Sequence, residues 1–248
     1  SWRQDLKIKE DLVEEVGRLL GYEKIPNKAF DLKKNNEASV TSESQKIKRQ
    51  IKELLVSRNI MEIISWSFSN KKWEENVIGD TDNIEIQNPI SEELSCLRQS
   101  LLGGLLNIVN KNNNKDRQNI SIFEIGPVFT GIYPGEQKDR LTIIRSGKAI
   151  DKNWTADNRN YDVFDIKSDL VSLLRLLKIP LDKIKIKNEN NNFFHPGKSC
   201  SVYFSELKIA SFGEIHPNVS KSFKIKNTVI VLEIYISEIL ENFKKRMQ

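Results

Sequence analysis

The tightest constraint on the fold is the change of apolar period along the chain. From residue 120 onward, short segments read as strands: 120–126 (ISIFEIG), 140–146 (RLTIIRS), 184–187, 199–204, 209–214 and 229–234. Helical periods interrupt them irregularly. One runs over 165–177, with Ile166, Leu170, Leu173, Leu174 and Leu177 inward, and one from about Ser237 to Lys245. Repeated βαβ units require a crossover helix between each parallel pair, so this spacing predicts an α+β domain on a largely antiparallel sheet.

The stretch before it is more helical. Ser42 with Gln45 predicts a capping box, and the helix that follows turns Ile47, Ile51, Leu54 and Leu55 inward until Asn59. Residues 61–68 alternate and predict a strand whose more apolar face carries the even positions Ile64, Trp66 and Phe68. A short helix around Trp73–Val77 leads to a strand at Ile84–Gln87, then to a helix from about Leu101 whose first turn Gly103-Gly104 weakens. The polar, aperiodic stretch at 29–41 reads as a linker, which divides the chain into 1–28 and 42–248.

Residues 1–28 carry the densest candidate chemistry. Asp5 lies on a short extended stretch, and Asp11, Glu14 and Glu15 share one face of a helix whose opposite face is Leu12, Val16, Leu19 and Leu20. Gly21 ends that helix and Pro26 prevents its restart. Clustered carboxylates suit a hard cation such as Mg²⁺, which takes oxygen ligands and keeps several waters. The same residues also suit a solvated face, with acids favouring the helix dipole and Glu14 pairing with Arg18.

Composition narrows the class. Hydrophobic residues at 38% and charged residues at 29% of 248 describe a soluble protein with a charged surface. No apolar run approaches the ~18–20 residues that a membrane span needs. The chain starts at Ser1 without a basic-then-apolar leader, and reads as an internal segment of something longer. Cys96 and Cys200 are two lone thiols, which suits a reducing, cytoplasmic compartment, and with His195 and His216 they form no zinc-ligand spacing. The net charge of +5 is mild. Lysine clusters at 46–52, 183–187 and 244–246 leave a basic nucleic-acid-binding module as an alternative, although the abundance of Lys and Asn explains the charge without a ligand.

A resemblance adds to this reading. The run Trp2-Arg3, Asp5, Asp11-Leu12, Glu14-Glu15, Arg18, Gly21-Tyr22 and Ile25-Pro26 resembles the beta subunit of bacterial phenylalanyl-tRNA synthetase. NPISEELSCLRQSLLGGLL (88–106), FEIGPVF (123–129), VFDIKSDLVSLL (163–174), FHPGKS (194–199) and FGEIHP (212–217) continue it in the family's order. One departure is Gly103, where the family usually has Pro.

The resemblance implies that 1–28 is the tail of a small winged-helix-like domain. Its Asp5, Asp11, Glu14 and Glu15 would bind a Mg²⁺ shared with the alpha subunit. It implies that 42–248 is a class II aminoacyl-tRNA synthetase-like module, an antiparallel sheet flanked by helices that has lost the chemistry. The intact ligase is then an alpha2beta2 heterotetramer that binds tRNA and uses ATP to attach phenylalanine to it. The work of this chain is to dock and organise alpha, and neither a catalytic nor a cofactor-binding residue is assigned to it.

The residues argue for that loss independently. None of the eleven glycines sits in a GxGxxxER junction, and the junction at Gly213 reads Gly-Glu-Ile-His-Pro, where Pro217 removes an N–H. Arg98 is the one arginine read as able to meet a phosphate. His195 and His216 precede proline and read as turn-positioning residues. Gly126 and Gly197 mark close approach or turns, and Trp66, Trp73, Phe123 and Phe129 read as core or interface aromatics; Glu124 lies in a strand among apolar neighbours, and the sequence alone does not decide whether it is a buried, hydrogen-bonded carboxylate with an interface role.

Overall fold

The structure is a computed structural model that describes residues 2–28, 41–79, 84–150, 154, 158–189 and 193–247, with side chains as far as 242. The chain forms two compact units, Ser1–Ser42 and Glu43–Gln248. All of the expected linker except Thr41 lies outside the described residues.

Among its described residues, the first unit holds helix α1 (Lys9–Leu20) and a 3-10 turn at Tyr22–Lys24. No residue of α1 is buried, and the apolar face of Leu12, Val16, Leu19 and Leu20 is exposed. Gly21 stops the helix at φ 89°, a conformation that costs a residue with a Cβ far more.

The second unit begins with α2 (Glu43–Ser57), β1 (Met61–Glu62), β2 (Phe68–Ser69), α3 (Lys71–Ile78), β3 (Cys96–Leu97) and α4 (Leu102–Asn113). It continues with β4 (Ile120–Phe129), β5 (Gln137–Ser146), α5 (Val163–Leu176), β6 (Ile184–Lys187), β7 (Phe194–Phe204) and β8 (Leu207–Ile215). It closes with α6 (Pro217–Ser222), β9 (Val229–Ile234) and α7 (Ile236–Met247). Seven strands form one sheet in the order β1-β4-β5-β9-β8-β7-β6, and β2 pairs with β3 separately. Within the large sheet only β1–β4 is parallel. The expected α+β class and largely antiparallel sheet are therefore present.

The two-residue period of the strands builds two cores. In register, Phe123, Ile143, Leu232 and Phe212 share one face. They pack with Ile51 and Leu55 of α2 and with Ile166, Leu170 and Leu173 of α5. Ile122, Ile144 and Val231 point the other way, onto Leu102, Leu105 and Val109 of α4. Each fully buried aliphatic side chain contributes about 1.5–3 kcal/mol, so both helical layers are anchored by their apolar stripes.

Helix α5 starts early because Asp162 accepts the N–H groups of Phe164 and Asp165 while Asp165 accepts that of Asp162. Its inward face carries one charge, Asp169, which is fully buried. Asp169 accepts two bonds from Arg145 of β5, at 2.7 and 3.0 Å, and one from Arg58 after α2, at 2.7 Å.

Several segments depart from the sequence reading. Residues 61–69 are two short strands instead of one, because the backbone N–H and hydroxyl of Ser65 turn inward to the Glu124 carboxylate. Two of the three apolar even positions face outward as a result, with Ile64 87% and Trp66 73% exposed, while Phe68 is half-buried. Ile84–Gln87 is not a strand; Glu85 makes one isolated bridge to Cys96. Strand β7 begins at Phe194 and carries a register irregularity between Phe194 and Ser199, where Pro196 has no N–H to give. Gly103 and Gly104 belong to α4 because a Cβ on them would press on Trp73 and Ser65, each at 3.2 Å.

Candidate functional site

The four acidic residues singled out in the first unit have unequal surroundings. Asp5 takes Nε of Arg3 at 3.0 Å and a terminal nitrogen at 2.6 Å; Arg3 also reaches Glu15 at 2.8 Å. Glu15 is bonded by Arg18 as well, at 2.6 Å, so Arg18 pairs with Glu15 and not with Glu14 as the spacing suggested. Asp11 accepts the backbone N–H groups of Lys7 and Ile8 at 2.8 and 3.0 Å, which places it at the start of α1. Arg3 holds the Asp5 carboxyl down at about 2. Arg18 and then Arg3 lower Glu15, and the Ile8 and Lys7 amides lower Asp11.

All three carboxylates are thus strongly favoured as anions, the charge state a cation needs. Their oxygens are the donors Mg²⁺ takes. Their placement is another matter, because the Arg3 guanidinium already joins Asp5 to Glu15. Among the described residues, no three His, Cys, Asp or Glu side chains converge in a way that could hold a metal.

In the second unit, the arginine that spacing left free for a phosphate is committed. Arg98 and Glu124 are 6% and 2% exposed at their side chains and form an ion pair at 2.7 Å. Arg98 also donates to Ser65 Oγ at 3.0 Å and to the carbonyl of Pro127 at 2.9 Å. Gly126 is required here, since a Cβ at that position would collide with the Arg98 guanidinium. The Glu124 carboxylate in turn takes the N–H and hydroxyl of Ser65, at 3.2 and 2.7 Å.

Glu74, buried on α3, accepts Ser69 Oγ at 2.6 Å and the N–H groups of Gln99 and Ser100, at 3.0 and 3.2 Å. Burial pushes its carboxyl up, and the three donors oppose that. Sequence spacing gave no hint of this node. The available signal was a carboxylate one helical turn from Val77 on the inward face of α3.

Gly213 serves strand packing and not a phosphate loop: a Cβ there would meet the carbonyl of Lys198 at 2.6 Å. His216 caps α6 by accepting the Asn218 N–H at 3.1 Å, and His195 accepts the Gly197 N–H at 3.1 Å. Both histidines hold local backbone, as their position before proline suggested.

The second unit has the fold of tRNA synthetase structures. A pyrrolysyl-tRNA synthetase from Desulfitobacterium hafniense aligns with a TM-score of 0.66 at 12% identity, covering 95% of this chain and 77% of that one. Another crystal structure of that organism's enzyme gives 0.64 at 14% identity, over 99% and 83%. The profile of the phenylalanyl-tRNA synthetase beta chain CLM domain matches residues 31–236, and the chain belongs to that family. The phenylalanine–tRNA ligase beta subunit of Ehrlichia canis is 36% identical over 241 residues, 96% of this chain and 30% of its own length. That of a Wolbachia species from Brugia malayi is 34% identical, over 98% and 29%. The chain therefore spans about 30% of the length of such relatives. No helix among the described residues is long and apolar enough to cross a membrane.

Proposed function

We propose that this chain is the non-catalytic core of a phenylalanine–tRNA ligase beta subunit, within a cytoplasmic alpha2beta2 enzyme that attaches phenylalanine to its tRNA using ATP. In this reading 1–28 is the tail of a winged-helix-like domain, 29–41 a linker and 42–248 a class II-like module that docks and organises the catalytic alpha subunit. The observation that carries it is the state of Arg98. An arginine that binds a nucleotide phosphate must present its guanidinium to solvent, and this one is buried against Glu124, Ser65 and a backbone carbonyl. Ile64 and Trp66, held outward by the inward turn of Ser65, supply an apolar surface suited to a protein partner.

Asp5, Asp11, Glu14 and Glu15 are this chain's contribution to a Mg²⁺ shared with alpha. Because Arg3 bridges Asp5 and Glu15, the ion must displace Arg3, and alpha completes the shell. The ion's role would be electrostatic, balancing the charge of these carboxylates at the contact with alpha.

The test is co-purification with alpha, followed by tRNA charging by the pair and ATP–pyrophosphate exchange by the chain alone. Retention of alpha, charging by the pair and blank-level exchange by the lone chain are expected. Phenylalanine-dependent exchange by the lone chain above the blank overturns the non-catalytic reading, and failure to retain alpha overturns the docking. The double change Asp11→Ala with Glu15→Ala should loosen the alpha contact in Mg²⁺; unchanged retention removes the shared ion.

A further inference from the structure

The basic cluster at 46–52 that stands out in the sequence is neutralised in the fold. Lys46 pairs with Glu43, Lys48 with Asp139, Arg49 with Glu53 and Lys52 with Glu62. A different group of cations is left without acids. Between α6 and β9, Lys221, Lys224 and Lys226 are exposed and border a cavity of about 420 Å³ together with Ser220, Asn227 and Thr228. Among the described residues, none of the three ammonium groups has an ion pair or a hydrogen bond. Glu214 is the acid in that lining, and Lys198 already holds it at 2.6 Å.

The sheet carries this charge across its end. Ile120 of β4 pairs with Ser146 of β5, and Ser146 with Val229 of β9. The segments just before β4, just after β5 and just before β9 therefore lie side by side. They supply Lys115 and Arg117, then Lys148, then Lys224 and Lys226. Lys115 and Arg117 are exposed and, among the described residues, their side chains are unpaired. Lys148 gives its ammonium to the Asn158 carbonyl at 3.0 Å, which leaves its charge uncancelled. With strands about 4.8 Å apart, the row from β4 to β8 spans roughly 14 Å. A basic residue behind a helix suits the negative end of its dipole, which accounts for Lys115 after α4 and Lys221 in the last turn of α6. It does not account for Arg117, Lys148 and Lys226.

We propose that this end of the sheet is a contact surface for the phosphate backbone of RNA. Lysines and arginines without acid partners gain affinity by releasing the counterions held around phosphates. Neutral donors from Ser, Thr and Asn side chains are the usual companions of such contacts, and Ser220, Asn227 and Thr228 stand among the lysines. A row of this length meets several phosphates of a strand and reads no base, so binding is independent of sequence. The choice of RNA as the polyanion rests on the ligase reading; the charge imbalance itself does not.

The experiment is fluorescence anisotropy of this chain with a labelled RNA duplex of about 16 base pairs, at about 50 to 200 mM salt. Binding that weakens steeply with salt is expected. The triple change Lys221→Gln, Lys224→Gln and Lys226→Gln should lower the slope of log Kd against log salt by about 2–3 and weaken binding about tenfold or more at the lowest salt. Lys46→Gln with Arg49→Gln removes cations that acids already balance, and should change the slope by less than about 1. An unchanged slope in the triple variant, or an equal loss in the control pair, overturns the surface. So does tighter binding to anionic lipid vesicles or to polyglutamate than to the duplex, which assigns the charge to a membrane or an acidic protein. Should the triple variant not fold, Arg117→Gln with Lys148→Gln reads the same row. If the pair with alpha charges tRNA and the triple variant leaves its KM for tRNA unchanged, the surface falls while the ligase reading stands. If alpha is not retained but duplex binding follows these lysines, the surface stands and the ligase reading falls.

Discussion

Arg98 and Glu124 make the sharpest energetic prediction. Glu124→Ala strands a guanidinium whose side chain is 6% exposed, leaving it the Pro127 carbonyl at 2.9 Å, Ser65 Oγ at 3.0 Å and the Trp66 carbonyl at 3.4 Å. Arg98→Ala strands a carboxylate that keeps only Ser65 as a donor. Breaking a buried pair from one side costs about 3–5 kcal/mol, since the surviving charge stays buried without its partner. For a unit of this size, at roughly 2–4 °C per kcal/mol, melting falls by about 6–20 °C. Replacing both together, as Arg98→Ala with Glu124→Ala, removes both charges and should cost far less than the two single changes summed. The expected coupling is about 2 kcal/mol or more, read from urea-unfolding curves of the four proteins. Costs that add to within about 0.5 kcal/mol refute the interlock.

Two further outcomes test other parts of the molecule. With its folded value near 2 and its ordinary value near 3.8, Asp5 contributes its link to Arg3 above about pH 4 and loses it as pH falls toward 2. The Asp5 carboxyl ¹³C shift should follow that window and return to the ordinary carboxylate range in Arg3→Gln. Gly213→Ala forces a methyl against the Lys198 carbonyl and the Ser199 Cα, at 2.6 and 2.7 Å, and should destabilise by about 1–3 kcal/mol in thermal melts.

What the sequence disclosed follows from the range of the forces involved. Helices α2 and α5 and strand β9 were legible because their apolar periods are local and run for several residues. The outward face of Ile64 and Trp66 was not, since alternation says that two faces differ but not which one meets solvent. Arg98 and Glu124 stand 26 residues apart and Ser65 another 59 from Glu124, so only the folded sheet brings them together. Asp169 was closer to readable, as a charge set among Ile166, Leu170 and Leu173 on an otherwise apolar stripe. The acidic quartet came from resemblance, because spacing by itself favoured a solvated acidic face over a cation site.

Asp169 has a mechanical consequence. One carboxylate serves guanidiniums from two separate elements, one just past the end of α2 and one in β5. Peeling α2 away leaves Arg145 and Asp169 facing each other with one bond fewer inside the core, so the helix cannot fray alone without penalising the sheet. A load on the outer surface of α2 therefore travels through this junction to β5, and the helix and strand open and close as one cooperative block.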